Sequence, residues 1–485
     1  MPEIRTTTPA PPLPPTAEAS TRWEHTRLRE RIMGSVWEDD LRRELAQELG
    51  TLRSRAQGVP DQSSNLLKAC SQQLSTLYHR PPTVTHATGA EELVDSGGIL
   101  TRAGLWQIMG SLQQQIIALN DYLLGITISP DGRPIYRPVS PSYVVAVPDP
   151  NEPDLPIAIS ELRLRAHPQT GAWAWYWDAW DLRVPSFRVM SATTNEAPVD
   201  VTALFIQDGE TGEPLADLSG DRYPYLDNGR PILPYSLYHA ERTGGCLFSP
   251  FLNSEIVQAT LKSGAGYSMF WKAFKDSSYS QRYTVNCAIP GLGTDGTTEA
   301  PRSSITTDPS TILMLSSEDD SQPMVGAWQP ASTPGELLDS LTKYELRAAE
   351  FMGISPADIQ RLGGSNNARS GVAISLSREA QRESARRFTP VMRRSDLETI
   401  EKTAGMLNAA TGSSWPTDGY HIRYAPIPRS SDELEAERRH VVELLQSGLI
   451  SRVEALQFLE PGMSREEALR RLDEIRRINL STSVA

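Results

Sequence analysis

The chain has 485 residues, of which 39% are hydrophobic and 22% are charged, so it is long enough to form more than one lobe. Its formal net charge of −13 argues against a conventional DNA-binding protein that holds phosphates with a basic face. The 3 cysteines are far apart and odd in number, and no histidine motif has metal-ligand spacing, so neither a disulfide framework nor a bound metal or cofactor is expected.

Helical periodicity dominates the first quarter of the chain. Residues 1–19 are proline-rich and of low complexity, and we expect them to lack fixed structure. Apolar residues at helical spacing then predict helices from about 20 to 55, over 62–79 and over 101–124. The first helix is expected either to pack on its own domain or to act as an arm that contacts a neighbouring subunit.

Residues 126–207 change to strand-like patterns, with glycine, proline, asparagine and aspartate between the apolar runs. The predicted strands cover 143–147, 157–166, 172–180, 186–190 and 203–207. Trp173, Trp175 and Trp177 alternate along one of them and therefore face one side. This aromatic row is interpreted as a core face or a subunit contact. Stacking of single-stranded bases or binding of sugars is the alternative.

Two helices are predicted on either side of a polar insertion that holds short strands near 283–289 and 312–315. The first, 249–276, contains Gly264 and Gly266, which each cost a helix about 1 kcal/mol relative to alanine, so we expect another helix to cross closely there. The second, 334–352, should end at Gly353. Its polar residues fall in a stripe opposite its apolar face. The members of this polar stripe are Glu336, Ser340, Lys343, Arg347 and Glu350.

A glycine-rich loop and a long helix follow. In the loop, the stretch 363–371 has no apolar residue larger than alanine, and its glycines and asparagines allow several backbone conformations of similar energy. The helix is predicted over 372–411, and Pro390 inside it should produce a kink. Six arginines of this helix are expected to neutralise acidic surface within the chain or across a subunit boundary, and contact with DNA phosphates is the alternative. They are Arg378, Arg382, Arg386, Arg387, Arg393 and Arg394.

The neighbouring sequence does not support an enzyme motif anywhere in the chain. Residues 291–296 match the glycine pattern of a dinucleotide-binding loop, but the sequence after them, which includes Pro301, does not begin a helix. We interpret this stretch as a turn, and a nucleotide-binding enzyme that uses residues 283–296 is the runner-up from another functional class. No phosphate-binding P-loop or esterase elbow is present, and no apolar run approaches the ~20 residues that cross a bilayer.

The succession of helix, glycine-rich loop and long proline-containing helix between 334 and 411 resembles the core of the portal proteins of tailed bacteriophages, the head–tail connector family. The resemblance implies an α+β, multi-lobed portal fold. Its parts would be a disordered N-terminus and helical arm (1–60), a β-rich wing (61–248), paired stem helices (249–276 and 334–352), a small α/β clip (277–333), a tunnel loop (353–371), a long kinked wing helix (372–411) and a helical crown (412–485).

The resemblance also implies a function and a set of partners. A homo-oligomeric ring, expected to be a dodecamer, would sit at one capsid vertex and pass double-stranded DNA non-specifically during packaging and ejection. The implied partners are the major capsid protein, the terminase large subunit and a head–tail adaptor protein. The implied location is the virion, with assembly in the host cytoplasm and no membrane contact. A different ring protein of the head or tail is the closer alternative.

Three groups of residues would carry this function. In the tunnel loop, Ser365, Asn366, Asn367 and Arg369 would touch DNA. The polar stripe of helix 334–352 would line the channel. Arg378, Arg382, Arg386 and Arg387 would lie at subunit boundaries, because each subunit of a ring meets a copy of itself through two different surfaces. No catalytic residue is assigned.

Overall fold

The computed structural model describes residues 17–49, 60–87, 89–192, 198–207, 214–215, 218–241, 244–248, 254–278, 281–285, 313–315, 324–328, 334–354, 371–427, 431–459, 463 and 465–482. These residues form helices and sheets in a mixed α+β structure, as the sequence predicts. The chain divides into two compact units. The first comprises Met1–Leu362 and Ala385–Ala425, and the second comprises Gly363–Ser384 and Pro426–Ala485.

The N-terminal segment forms two helices, α1 (Ala17–Met33) and α2 (Glu38–Leu49), where the sequence predicted one. The break has a local cause, because Ser35 adopts a left-handed φ of 58° after Gly34. The indole rings of Trp23 and Trp37 are buried against the rest of the first unit, with 1% and 0% of their surface exposed. The interpretation of helices packed on their own domain is therefore confirmed.

The next helices are shorter than their periodicity suggests. They are α3 (Leu66–Leu74), the one-turn α4 (Glu91–Val94) and α5 (Ile99–Arg102), and α6 (Leu105–Leu119), with strand β1 (Thr83–His86) after α3. The prediction that the third helix continues to 124 is wrong. Asn120 adopts a φ of 74° and ends α6. Leu123 and Leu124 then point into two different apolar cores from opposite faces of a strand.

Two antiparallel sheets form the centre of the first unit. In one sheet β2 (Asp121–Ile128) lies between β3 (Pro134–Val139) and β11 (Tyr235–His239). The other has five strands in sequential order: β4 (Val144–Pro148), β5 (Pro156–Ala166), β6 (Trp173–Asp181), β7 (Ser186–Ser191) and β8 (Leu218–Ser219). A small hairpin joins β9 (Leu226–Asp227) to β10 (Arg230–Pro231).

Four of the five strands predicted in this region are confirmed, and the strand predicted over 203–207 is wrong. Thr202–Phe205 forms a one-turn helix, α7. The turn starts where the Asp200 carboxylate accepts hydrogen bonds from the backbone N–H of Thr202 at 3.0 Å and from its hydroxyl at 2.6 Å.

The tryptophan row of β6 is a core face. Trp177 is 9% exposed, and its ring centroid lies 6.2 Å from that of Trp23 in α1. Trp175 stacks on Tyr143 at a centroid distance of 5.8 Å. Only Trp173, at the start of the strand, is largely exposed, at 55%. The interpretation of the row as packing surface is confirmed for Trp177, which Trp23 of α1 covers, and for Trp175, which stacks on Tyr143.

The later part of the first unit contains the predicted helix pair. Helix α8 (Ser254–Ser278) packs on α9 (Pro334–Phe351). Between them in the chain, three described strands form a sheet in which β12 (Gln281–Val285) is central, parallel to β13 (Leu313–Leu315) and antiparallel to β14 (Met324–Trp328). The long helix α10 (Gly371–Thr411), which belongs to the first unit from Ala385 onward, contains Pro390, and β15 (Tyr420–Arg423) pairs with β1.

The described C-terminal residues of the second unit form helices α11 (Ser431–Gln446), α12 (Arg452–Leu459) and α13 (Arg465–Thr482). A capping box starts α12: Ser451 N–H donates to Glu454 Oε2 at 2.7 Å, and Glu454 N–H donates to Ser451 Oγ at 3.2 Å. Of the described helices, none combines the length and apolar character needed to cross a membrane.

Candidate functional site

The contact between α8 and α9 holds the predicted polar stripe in place. A Cβ atom on Gly266 would overlap the end of the Leu341 side chain, so α9 approaches α8 closely at this glycine. A Cβ atom on Gly264 would lie 2.9 Å from the Trp37 ring and 3.2 Å from Leu41, both in α2. The predicted close helix crossing is therefore confirmed, and each glycine accommodates a different neighbouring helix.

A polar network fixes the rotation of α9 about its own axis. The carboxylate of Glu345 accepts hydrogen bonds from the hydroxyls of Ser64, Ser263 and, at 3.4 Å, Tyr267. The hydroxyl oxygens of Ser64 and Ser263 lie 3.0 Å apart. Because two of these partners are on α8, Glu345 must face α8. Sequence reasoning missed Glu345, although a single carboxylate between the apolar positions 341 and 348 was a visible signal.

With this rotation, every member of the polar stripe is exposed: Glu336, Ser340, Lys343, Arg347 and Glu350. At about 100° per residue they lie on the side of α9 opposite Glu345. The stripe carries two acidic groups, two basic groups and one hydroxyl, and the hydroxyl of Ser340 donates to the Glu336 carbonyl at 2.8 Å. That the stripe lines a channel stays a prediction.

The predicted apolar face of α9 is only partly covered. Ala348 and Met352 are buried and Leu341 is half-buried. The other large members are exposed, at 37% for Leu337, 38% for Leu338, 39% for Tyr344 and 69% for Phe351. Of these, Leu337, Tyr344 and Phe351 lie about 80–120° around the helix axis from Glu345, which faces α8.

The predicted tunnel loop lies mostly outside the described residues, which exclude Ser365, Asn366, Asn367 and Arg369. Its first residue is described. Gly353 adopts a φ of 78°, and Ile354 N–H donates to the Ala349 carbonyl at 3.2 Å, so the predicted glycine stop of α9 is confirmed. The glycine-rich turn at 291–296 also lies outside the described residues.

Arginines of α10 have partners within the chain. Arg387 forms an ion pair with Glu241, and Arg394 lies 2.5 Å from Asp154 and 3.5 Å from Glu152 in the loop between β4 and β5. For these two residues, neutralisation of acidic surface within the chain is confirmed. Arg382 and Arg386 also have interaction partners, and the side chain of Arg378 is not described. A subunit boundary at Arg378, Arg382, Arg386 and Arg387 stays a prediction.

A buried carboxylate anchors α10 to three other segments. Asp396 is 1% exposed and accepts hydrogen bonds from the hydroxyls of Tyr78 at 2.7 Å, Tyr238 at 3.0 Å and Tyr424 at 2.5 Å. These tyrosines follow α3, lie in β11 and follow β15. Tyr238 also shares a hydrogen bond with Thr399 at 2.8 Å. The network therefore ties the middle of the long helix to its surroundings.

Burial controls the protonation of this cluster. It raises the pKa of the Asp396 carboxyl from 3.8 to about 6, although the three hydroxyl donors act in the opposite direction. Burial and the nearby Asp396 charge raise the pKa of Tyr78, Tyr238 and Tyr424, so these hydroxyls remain donors. Sequence reasoning missed Asp396, because it follows Arg393-Arg394-Ser395 and precedes Leu397-Glu398, which read as an ordinary solvated helix surface.

Comparisons with known proteins complete the description. No protein-family model and no curated protein matches the chain. Among solved structures, it is similar to a chain of "Virion of native gene transfer agent (GTA) particle", with 12% identity over 81% of this chain and 88% of that chain and a TM-score of 0.39. It is also similar to a chain of "Neck of empty GTA particle computed with C6 symmetry", with the same identity and coverage and a TM-score of 0.40. Similarity at this level carries no functional argument.

Proposed function

We propose that this chain is a portal-type protein, the subunit of a closed ring at one vertex of a phage-like capsid. The proposal is based on the order and packing of the elements between α8 and α10. Helices α8 and α9 pack side by side, the strands β12–β14 lie between them in the chain, and the 41-residue α10 with its internal Pro390 follows. This is the arrangement expected of a stem, a clip and a long wing helix.

The proposed activity is mechanical and electrostatic. DNA has to slide through a ring without being held, and each phosphate contact from lysine or arginine adds salt-dependent affinity. In the polar stripe Glu336 and Glu350 offset Lys343 and Arg347, so repeated copies would present charges of mixed sign. The net charge of −13 per chain also disfavours tight binding of DNA phosphates. Such a surface guides DNA non-specifically and needs no catalytic group, metal or cofactor.

The proposed partners follow from the position of such a ring. The outer surface would meet the major capsid protein. The described strands β12–β14 would belong to the projecting part that docks the terminase large subunit during packaging and a head–tail adaptor protein afterwards. The ring would assemble from twelve copies in the host cytoplasm and remain in the virion.

Assembly tests the proposal most directly. We expect purified protein, alone or co-expressed with its capsid protein, to form rings of about twelve subunits with a central hole, measured by native mass spectrometry and negative-stain microscopy. A stable monomer at micromolar concentration, together with no rings in recombinant procapsids, would contradict it. Rings that never occupy a capsid vertex, in a packaging reaction with terminase, would instead identify another ring protein of the head or tail.

A further inference from the structure

We propose that a groove beside strand β5 binds an extended acidic segment of a partner protein, which joins the five-stranded sheet as an additional strand. The groove lies within the first unit and has a volume of about 410 Å³. One wall is β5 at residues 162–164, and the other is the end of β3 with the residue after it, 138–140. The site is complete within one chain, so the proposal goes beyond the ring and does not depend on it.

The edge of β5 that faces the groove has unpaired backbone groups. Strand β4 pairs with β5 only as far as Glu161, whereas β5 continues to Ala166. Leu182 N–H donates to the Ile157 carbonyl at 3.0 Å, so the odd-numbered residues of β5 direct their backbone groups toward β6. The even-numbered Leu164 therefore directs its N–H and C=O toward the groove, where they have no hydrogen-bond partner among the described residues. An open sheet edge of this kind can bind an extended peptide through main-chain hydrogen bonds.

The two walls of the groove differ in their ability to accept a strand. On the β3 side the groove is lined by Pro138, which has no backbone N–H to donate. Proline at a sheet edge discourages the addition of a further strand. On the β5 side, residues 162–165 contain no proline, and Leu164 offers both a donor and an acceptor. An incoming strand would therefore pair with β5 and not with β3.

The exposed charges of the groove are basic. Arg137 donates to both carboxylate oxygens of Glu161 at 2.5 Å, and the Arg137 side chain is 39% exposed whereas that of Glu161 is 3% exposed. Arg163 lies 3.1 Å from Asp178, and the exposures of these two side chains are 38% and 2%. In both pairs the carboxylate is buried and the guanidinium is not. Each guanidinium has five N–H donors and uses one or two of them in its pair, so donors remain for the carboxylate of a ligand.

The two faces of β5 determine the pattern of side chains that the groove accepts. Arg163 lies on the same face of the sheet as Glu161, whereas Leu164 lies on the opposite face beside its cross-strand partner Trp175. Trp175 in turn stacks on Tyr143, which also lines the groove. An added strand continues the sheet, so its side chains alternate between the arginine face and the aromatic face. We therefore expect a segment in which acidic and apolar residues alternate.

Synthetic peptides with blocked ends test the groove directly. The probe is fluorescein-labelled Gly-Glu-Val-Glu-Val-Glu-Gly. One control, Gly-Glu-Glu-Glu-Val-Val-Gly, has the same composition without the alternation, and a second, Gly-Lys-Val-Lys-Val-Lys-Gly, reverses the charge. Fluorescence anisotropy with the full chain should show saturable binding of the probe that weakens as the salt concentration rises. Both controls should bind at least about tenfold more weakly.

Two substitutions at position 164 separate strand addition from side-chain contact. Leu164→Pro removes the unpaired N–H but leaves the hydrogen bonds between β5 and β6, and it should weaken binding of the probe about tenfold. Leu164→Ala is the matched control, because it keeps the N–H and should bind the probe within about threefold of the wild type. Arg163→Gln should weaken binding about fivefold. Arg183→Gln, which removes an arginine paired with Asp181 in the turn between β6 and β7, should not.

The possible outcomes decide between strand addition and its alternatives. No saturable binding, equal binding of the three peptides, or unchanged binding to folded Leu164→Pro would overturn the proposal. If Leu164→Pro does not fold, hydrogen exchange of the wild type decides: saturating probe should slow exchange in the segment that contains Leu164, and an unchanged rate would overturn the proposal. Self-association of the wild type without peptide, if Leu164→Pro abolishes it, would identify a second copy of the chain as the occupant and overturn the acidic partner.

Discussion

The buried carboxylate of Asp396 should make the first unit less stable at neutral pH than at mildly acidic pH. Its folded-state pKa, about 6, lies above the ordinary value of 3.8, so the folded chain binds a proton more tightly than the unfolded chain. The unfavourable contribution of Asp396 is therefore absent below about pH 4, grows as the pH rises, and is complete above the folded-state pKa. Substitution Asp396→Asn removes this titration while keeping a side chain of similar shape.

The expected magnitude follows from linkage. The raised pKa of Asp396 corresponds to a loss of roughly 3 kcal/mol in the free energy of unfolding at pH 7. About half of this lost free energy should be recovered at pH 5. The free energy of unfolding of the wild-type chain should thus rise by roughly 1–1.5 kcal/mol relative to Asp396→Asn between pH 7 and pH 5. The other carboxylates titrate in both chains, so the difference between the two isolates Asp396.

Tryptophan fluorescence during urea unfolding is a suitable assay, because all 10 tryptophans lie in the first unit, as does Asp396. Both chains are measured at pH 5, 6, 7 and 8 and at constant ionic strength. Glu398→Gln is the matched control: it removes a carboxylate from the same helix that is paired with Lys402 at 2.5 Å. If the free energy of unfolding changes with pH in the same way for the wild type and Asp396→Asn, the reasoning that burial sets the protonation of this group is refuted.

Three further predictions concern the α8–α9 pair and the loop. Gly266→Ala should give a lower free energy of unfolding than Gly335→Ala, by about 1–2 kcal/mol in the same fluorescence assay, because its Cβ overlaps the Leu341 side chain whereas Gly335 has open space around it. In assembled rings, Ser340→Cys should react with a thiol reagent small enough to enter the channel, and Leu341→Cys should react slowly; the reverse order would show that the polar stripe does not face the lumen. Deletion of residues 364–369 should leave rings intact but impair DNA packaging or retention, and normal yields of filled infectious heads would contradict the assignment of the loop.

Local physical chemistry was enough to determine many elements from the sequence. The start of α9 is encoded by Pro334 and its end by Gly353, and four strands of the five-stranded sheet follow from alternating apolar residues between turn residues. The two glycines of α8 indicated a close helix crossing before any contact was known. These features depend on backbone conformation and on the side on which a residue lies, which are properties of a few neighbouring residues.

Only the tertiary structure decided which apolar and charged residues are covered. Leu123 and Leu124 have a helical pattern in the sequence, but two cores on opposite faces of β2 place them in a strand. Leu337 and Leu341 look equivalent in the sequence, yet Leu341 is half-buried against Gly266 of α8 and Leu337 is exposed, because the hydrogen bonds of Glu345 set the rotation of α9. Asp396 looks like a surface residue in the sequence. In the fold it is buried by hydrogen bonds from Tyr78, Tyr238 and Tyr424, which come from distant parts of the chain. Burial depends on contacts between distant segments, and the local periodicity of one segment does not contain that information.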